Sequence, residues 1–185
     1  DAQRPALEQN LFTTYPQYSS RTYPGLVFDG TDYLIISNSV DINTGGPYTN
    51  KLVGLAFRTG SDIVSRQVLY EQGGPTSGLN IYIEGGKLYM GAWDTTAWTG
   101  WGSAWINVEI GRNAQCTMVL GLYENEMRGY VNTRCVGIRQ KPDWEWRQWQ
   151  MKGDEDGIAI GGIRGGTRFE DGTTGDEGQC GGSAL

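Results

Sequence analysis

The chain contains no histidine. That absence excludes a Ser-His-Asp or Cys-His device and any imidazole base. Glycoside hydrolysis would instead need paired carboxylates projecting from one strand into a groove. The acidic clusters, Asp154-Glu155-Asp156 and Glu170-Asp171, lie in glycine-bounded loops, where solvated turn charges are the simpler reading. The residues therefore argue against an enzyme. Oxygen ligands are plentiful and nitrogen ligands absent, so calcium is the cation this chemistry suits and zinc is not. Seven tryptophans point to a different chemistry. Trp93, Asp94, Trp98 and Trp101 fall on one hairpin end and the loop after it. Indole faces are flat apolar platforms on which sugars stack, and a nearby carboxylate orients hydroxyls. Trp93 and Trp105 read as core. Trp98 and Trp101, in a Gly/Thr loop, are harder to bury, so Trp98, Trp101 and Asp94 form the expected ligand site. Trp144, Trp146 and Trp149 read as an edge face exposing indoles or as a subunit contact.

Three cysteines, an odd number, suit one disulfide and one leftover thiol in an oxidising compartment. With Asn125-Glu126 as a two-residue hairpin turn, Cys116 falls opposite Cys135, within the roughly 4.4–6.8 Å between Cα atoms that a bridge needs. The pair would be a hydrogen-bonded one, the less comfortable kind, and a bulge or longer loop would change it. Cys180 is open to a buried free thiol or an intermolecular link.

The elements that must position these residues read as strands. Val27 to Ile36 begins as an alternation and ends in the apolar run Tyr33-Leu34-Ile35-Ile36, which suits a covered strand with Asp29 and Asp32 at its corner. Lys51 to Arg58 is a buried strand, and Gln67 to Glu71 follows a polar turn. Gly78 to Glu84 alternates, with Leu79, Ile81 and Ile83 on one face. Gly85-Gly86 then turns the chain into Lys87 to Trp93. Trp105 to Ile110 alternates again. Cys116 to Tyr123 and Met127 to Val136 form a second hairpin, and Ile158 to Ile163 is the last clear strand. With roughly nine to eleven strands and no credible helix, the pattern predicts a two-sheet antiparallel sandwich.

At 185 residues, with 29 glycines and 6 prolines, the chain is one domain able to bury a core through many tight turns. Residues 1–24 read as an arm and 25–185 as the domain. The net charge of −6, without a basic block, disfavours nucleic acid. No apolar run approaches the ~20 residues of a membrane span. A start at Asp1, without methionine or signal peptide, suits a processed product or a fragment.

Seven landmarks in order carry a family resemblance over about residues 26 to 183. They are Phe28-Asp29-Gly30; Val68-Leu69-Tyr70-Glu71-Gln72-Gly73-Gly74; Gly78 to Ile83; Lys87 to Trp93; Gly129-Tyr130-Val131-Asn132; Ile158-Ala159-Ile160-Gly161 with Thr167-Arg168-Phe169; and Gly181-Gly182-Ser183. Together they resemble the laminin-G-like, concanavalin A-like jelly-roll domain of large bacterial surface and secreted proteins. The resemblance implies an all-β jelly-roll sandwich, an extracellular or cell-surface setting and a structural calcium near the first core strand, with Asp29 and Asp32 as the first candidate ligands. Asp171 and Asp176 come second. For Asp29, a turn carboxylate accepting backbone N–H bonds is the competing reading.

Two departures from the family pattern stand out. A Trp-His pair before the strand at Cys116 is missing, as is a final strand after Gly-Gly-Ser whose Asp would sit near Asp29. Residues 7–15 or a strand from a neighbouring chain could fill that slot, or the sequence is truncated. The expectation is thus a non-catalytic extracellular recognition module that binds a glycan or a cell-surface polymer, or mediates adhesion. The alternative is a subunit of an extracellular filament or coat, joined by strand exchange with copies of itself or a strand-donating chain. An accessory domain of a larger enzyme is a third reading.

Overall fold

The computed structural model describes residues 6–13, 22–97, 100–143, 145, 147–152 and 156–176. Period-two alternation becomes strands almost throughout. The strands are β1 (Ala6–Thr13), β2 (Thr22–Val27), β3 (Leu34–Ile36), β4 (Lys51–Arg58), β5 (Gln67–Gly73), β6 (Ser77–Glu84) and β7 (Lys87–Asp94). They continue as β8 (Gly102–Glu109), β9 (Gln115–Leu122), β10 (Glu126–Val131), β11 (Arg134–Gln140), β12 (Ile158–Ile160), β13 (Thr167–Arg168) and β14 (Thr174–Gly175). Among the described residues a π-helical turn, Val40–Thr44, interrupts them. Among the described residues no helix is long and apolar enough to cross a membrane.

Six strands form one antiparallel sheet in the order β3-β12-β5-β6-β7-β8, and four form a second in the order β11-β10-β9-β4. β9 shows the governing pattern: Cys116, Met118 and Leu120 are buried while Thr117 and Val119 face out. They meet Phe57 and Val53 of β4, and Leu79, Ile81, Leu88, Met90 and Ile106 of the larger sheet, in one core. The larger sheet is covered on its outer face as well. Ile163 and Phe169 pack there on Val68 and Tyr82, and Asn80 Nδ2 donates to Thr167 Oγ1 (3.0 Å) and the Arg168 carbonyl (2.7 Å). Hence β5 is buried along its whole length, its polar Gln67, Glu71 and Gln72 included.

Glycine lets the two sheets approach near β8 and β11. A Cβ at Gly129 would lie 2.8 Å from Met90 Cε, and one at Gly137 only 2.7 Å from Ile106 Cγ2. The Gly85-Gly86 hairpin forms as the sequence predicts, with φ of 57° and 79° and Glu84 paired with Lys87, the type I′ geometry that right-handed strand twist favours.

Two expectations are corrected, and the described part of the arm is found paired with β2. The Val27–Ile36 strand is split: β2 ends at Val27, a turn with Gly30 at φ 93° follows, and β3 begins at Leu34. β2 spans the expected boundary at residue 24 and pairs with β1, so the described part of the 7–15 arm joins β2 rather than either large sheet. Most consequential is the Cys116–Cys135 disulfide, which does not form; both thiols are free. Leu122 pairs with Met127, so the turn is Glu124-Asn125, one residue earlier than expected. The chain also turns again at Asn132-Thr133, because Val131 pairs with Arg134. Cys135 therefore lies on β11, opposite Tyr130, and Cys116 lies opposite Phe57 on β4, with β10 between the two cysteine strands.

That second turn holds Asn132 at φ 47° and Thr133 at φ 67°. Asparagine tolerates left-handed backbone; a β-branched residue does not. Thr133 is exposed, and its hydroxyl donates to the neighbouring Asn132 carbonyl. Thr133→Gly creates the favoured Asn-Gly pair and is expected to stabilise the protein by about 1 kcal/mol, read as a higher urea midpoint at unchanged slope.

Candidate functional site

On one side of the sandwich the edge strands β8 and β11 face each other. Ile106 seats against Gly137 there, and Arg139 crosses from β11 to donate its Nε to the Trp105 carbonyl at 2.7 Å. Beside this seam lies an open groove of about 560 Å³, a size suited to small ligands. Its lining includes Trp101, Trp105, Trp149, Arg139, Glu145 and Glu170.

Trp105 supplies the accessible aromatic wall. Alternation gives Ile106 and Val108 to the core side, so Trp105 stands on the outer face of its sheet, half-buried rather than in the core as expected. Its ring lies flat over Gly91, where a Cβ would come 1.9 Å from Trp105 Cζ3. It stacks on Trp93 at 5.8 Å with planes 14° apart and meets Tyr82 edge-on at 6.2 Å. Trp93 is fully buried, as the sequence predicts.

The other predicted ligand residues are placed differently. Trp101 lines the groove but is only 7% exposed, because it stacks on Trp149 at 4.8 Å and donates its Nε1 to the Gln150 carbonyl at 2.8 Å. The Gly/Thr loop thus buries Trp101 instead of presenting it. Asp94 is buried at the end of β7 and does not line the groove. Its Oδ1 accepts the Thr96 amide at 3.0 Å, and its Oδ2 lies 3.9 Å from Lys152 Nζ. Trp98 lies outside the described residues, as do Trp144, Trp146 and Cys180.

Sequence reasoning missed Arg139 and Glu145 as partners of this site, and Trp149, expected on an exposed edge face or in a subunit contact, is buried against Trp101 instead. Glu145, nearly buried, accepts from Arg147 Nε at 2.6 Å and Nη2 at 2.5 Å, while Arg147 Nη1 donates to the Gly100 carbonyl. The pair therefore fastens the loop that carries Trp101. The Arg147 hydrogen bonds hold the Glu145 carboxyl down to about 2. A depressed carboxyl contributes stability that is full above its unfolded value and lost as pH falls through the folded one. Relative to Glu145→Gln, the wild type is expected to lose urea stability between pH about 4.5 and about 2, and a difference that stays flat across that range would contradict the ion pair.

Asp29 and Asp32, the expected calcium ligands, share the turn between β2 and β3. Asp29 Oδ1 accepts the Thr31 hydroxyl at 2.6 Å and the Thr31 amide at 2.8 Å, and these bonds hold its carboxyl below the usual range. Asp32 Oδ2 accepts the Asp29 amide at 3.4 Å. This is the turn-carboxylate arrangement, and among the described residues no group of three or more acidic, thiol or imidazole side chains is gathered around a common point.

No family model matches the chain, and no curated protein does. Solved structures do match. The LG1-3 region of the laminin alpha2 chain superimposes with a TM-score of 0.57 at 12% identity, over 90% of this chain and 32% of that one. Domains LG4-5 of the mouse laminin alpha1 chain give 0.54 at 13% identity, over 85% and 38%. The botulinum neurotoxin serotype G binding domain gives 0.53 at 11%, over 72% and 38%. The chain thus spans between 32% and 38% of the length of these structures, and at such identities the likeness concerns the fold. The two antiparallel sheets around a shared core, with these neighbours, give the chain a laminin-G-like jelly-roll fold.

Proposed function

We propose that this domain is a non-catalytic extracellular recognition module that binds carbohydrate in the β8–β11 groove. The observation that carries the proposal is the half-buried Trp105 face beside Arg139, Gln140 and Glu170 in an open groove, the pairing of aromatic platform and polar groups that sugar recognition uses. The similarity to the botulinum neurotoxin serotype G binding domain agrees with a binding role. A glycan array with the wild type and Trp105→Ala tests it: binding to at least one glycan, lost at least tenfold in the variant, supports the reading. Silence on the array, or unchanged binding by the variant, overturns it.

A second reading has its own observation. β4 pairs with β9 on one side, and among the described residues no strand pairs with its other edge; Leu52 on it is 65% exposed. An open edge is a template for an added strand, as in a filament or coat subunit joined to copies of itself or to a strand-donating chain. Light scattering across a concentration series under non-reducing conditions tests this, and a compact monomer throughout would count against self-assembly. Calcium at Asp29 and Asp32 stands as a separate proposal. It expects a rise in melting temperature with calcium that chelator reverses, and no rise removes it.

A further inference from the structure

The geometry of the groove points to a sugar bearing a carboxylate as its ligand, an inference that rests on the carbohydrate reading above. Arg139 is tethered: its Nε donates to the Trp105 carbonyl at 2.7 Å. That bond uses one of the five N–H donors of a planar guanidinium and orients the rest. Among the described residues no carboxylate lies within ion-pairing distance of Arg139.

The lining carboxylates do not compensate this cation. Glu145 is held by Arg147 in a two-pronged pair at 2.6 Å and 2.5 Å. Glu170 is exposed and outside every ion pair of the described residues. The groove thus joins an oriented, unpaired guanidinium to the partly exposed ring of Trp105, whose carbonyl holds that guanidinium in place. A sugar ring on the indole would bring a ring substituent close to the guanidinium. A carboxylate there accepts two parallel bonds from the guanidinium fork with both partners charged, a geometry and charge match that a neutral hydroxyl does not offer. The chain's net charge of −6 opposes anions at long range, so this preference is local, and Glu170 works against it.

The test uses uronate- and sialate-containing oligosaccharides, each beside the same oligosaccharide with its carboxyl groups reduced to alcohols. Titration calorimetry with the wild type is expected to show at least one acidic member binding about tenfold or more tighter than its reduced counterpart, by an advantage that shrinks with added salt. Arg139→Gln is expected to erase the difference while keeping residual binding to both forms, and Glu170→Gln to tighten the acidic form alone. Circular dichroism melts confirm that both variants fold. Equal affinity for acidic and reduced forms, or a preference that survives Arg139→Gln, overturns the carboxylate inference and leaves the carbohydrate reading standing. Absence of binding to every member and to the neutral glycans of the array would sink both.

Discussion

Gly91→Ala is expected to abolish glycan binding and to lower stability by about 1–3 kcal/mol, the usual cost of forcing a group into a filled space. The added Cβ would sit 1.9 Å from Trp105 Cζ3 and 2.1 Å from Cε3, distances no real contact allows. The backbone of β7 is held on both sides, by β6 and by β8, so the ring must move instead. Displaced, Trp105 leaves its stack on Trp93 and its edge contact with Tyr82, and the groove loses its aromatic wall. Neither residue is charged, so the loss does not pass through electrostatics. The urea midpoint and the array read the two effects separately. A variant with wild-type midpoint and binding would mean that Trp105 is not seated on Gly91.

The largest stability effect is expected at Trp93. Its side chain is fully buried, covers Gly78, where a Cβ would lie 2.9 Å from the indole, and donates Nε1 to the Gly74 carbonyl at 3.0 Å. Trp93→Ala removes the ring, its stack on Trp105 and that hydrogen bond together. The expected loss is about 3–5 kcal/mol, a large share of the roughly 5–15 kcal/mol that holds a domain folded. Trp93→Phe keeps most of the apolar volume and should lose less, its residual deficit including the Gly74 carbonyl left without a donor. Urea melts of the two variants order them, and an alanine variant within 1 kcal/mol of wild type would contradict this packing.

The second hairpin shows where sequence reading ran short. The apolar-polar alternation from Cys116 to Tyr123 correctly marks a strand and its buried face. A hairpin's turn position, however, depends on which cross-strand contacts win, and here Leu122 meets Met127. Asn132-Thr133 carries no glycine, so the second turn had a weak local signal, and missing it put Cys135 on the wrong strand. The candidate site divides the same way. Alternation already sets Trp105 apart from Ile106 and Val108, and that signal was readable. The burial of Trp101 was not, because it depends on Trp149, which stacks on it from 48 residues away in the chain (149 − 101).

By itself, then, the sequence determined what local physics can decide. Period-two alternation set the strands, paired glycines set the Gly85-Gly86 hairpin, and their sum set an all-β sandwich. The lack of histidine removed imidazole chemistry. The tertiary structure alone decided the groove. It exists because β8 and β11, edges of different sheets, come close enough for Arg139 to reach the Trp105 carbonyl, a bond between residues 34 apart. No periodicity encodes such a meeting, because it follows from how two twisted sheets close on a shared core and which edges that closure leaves side by side.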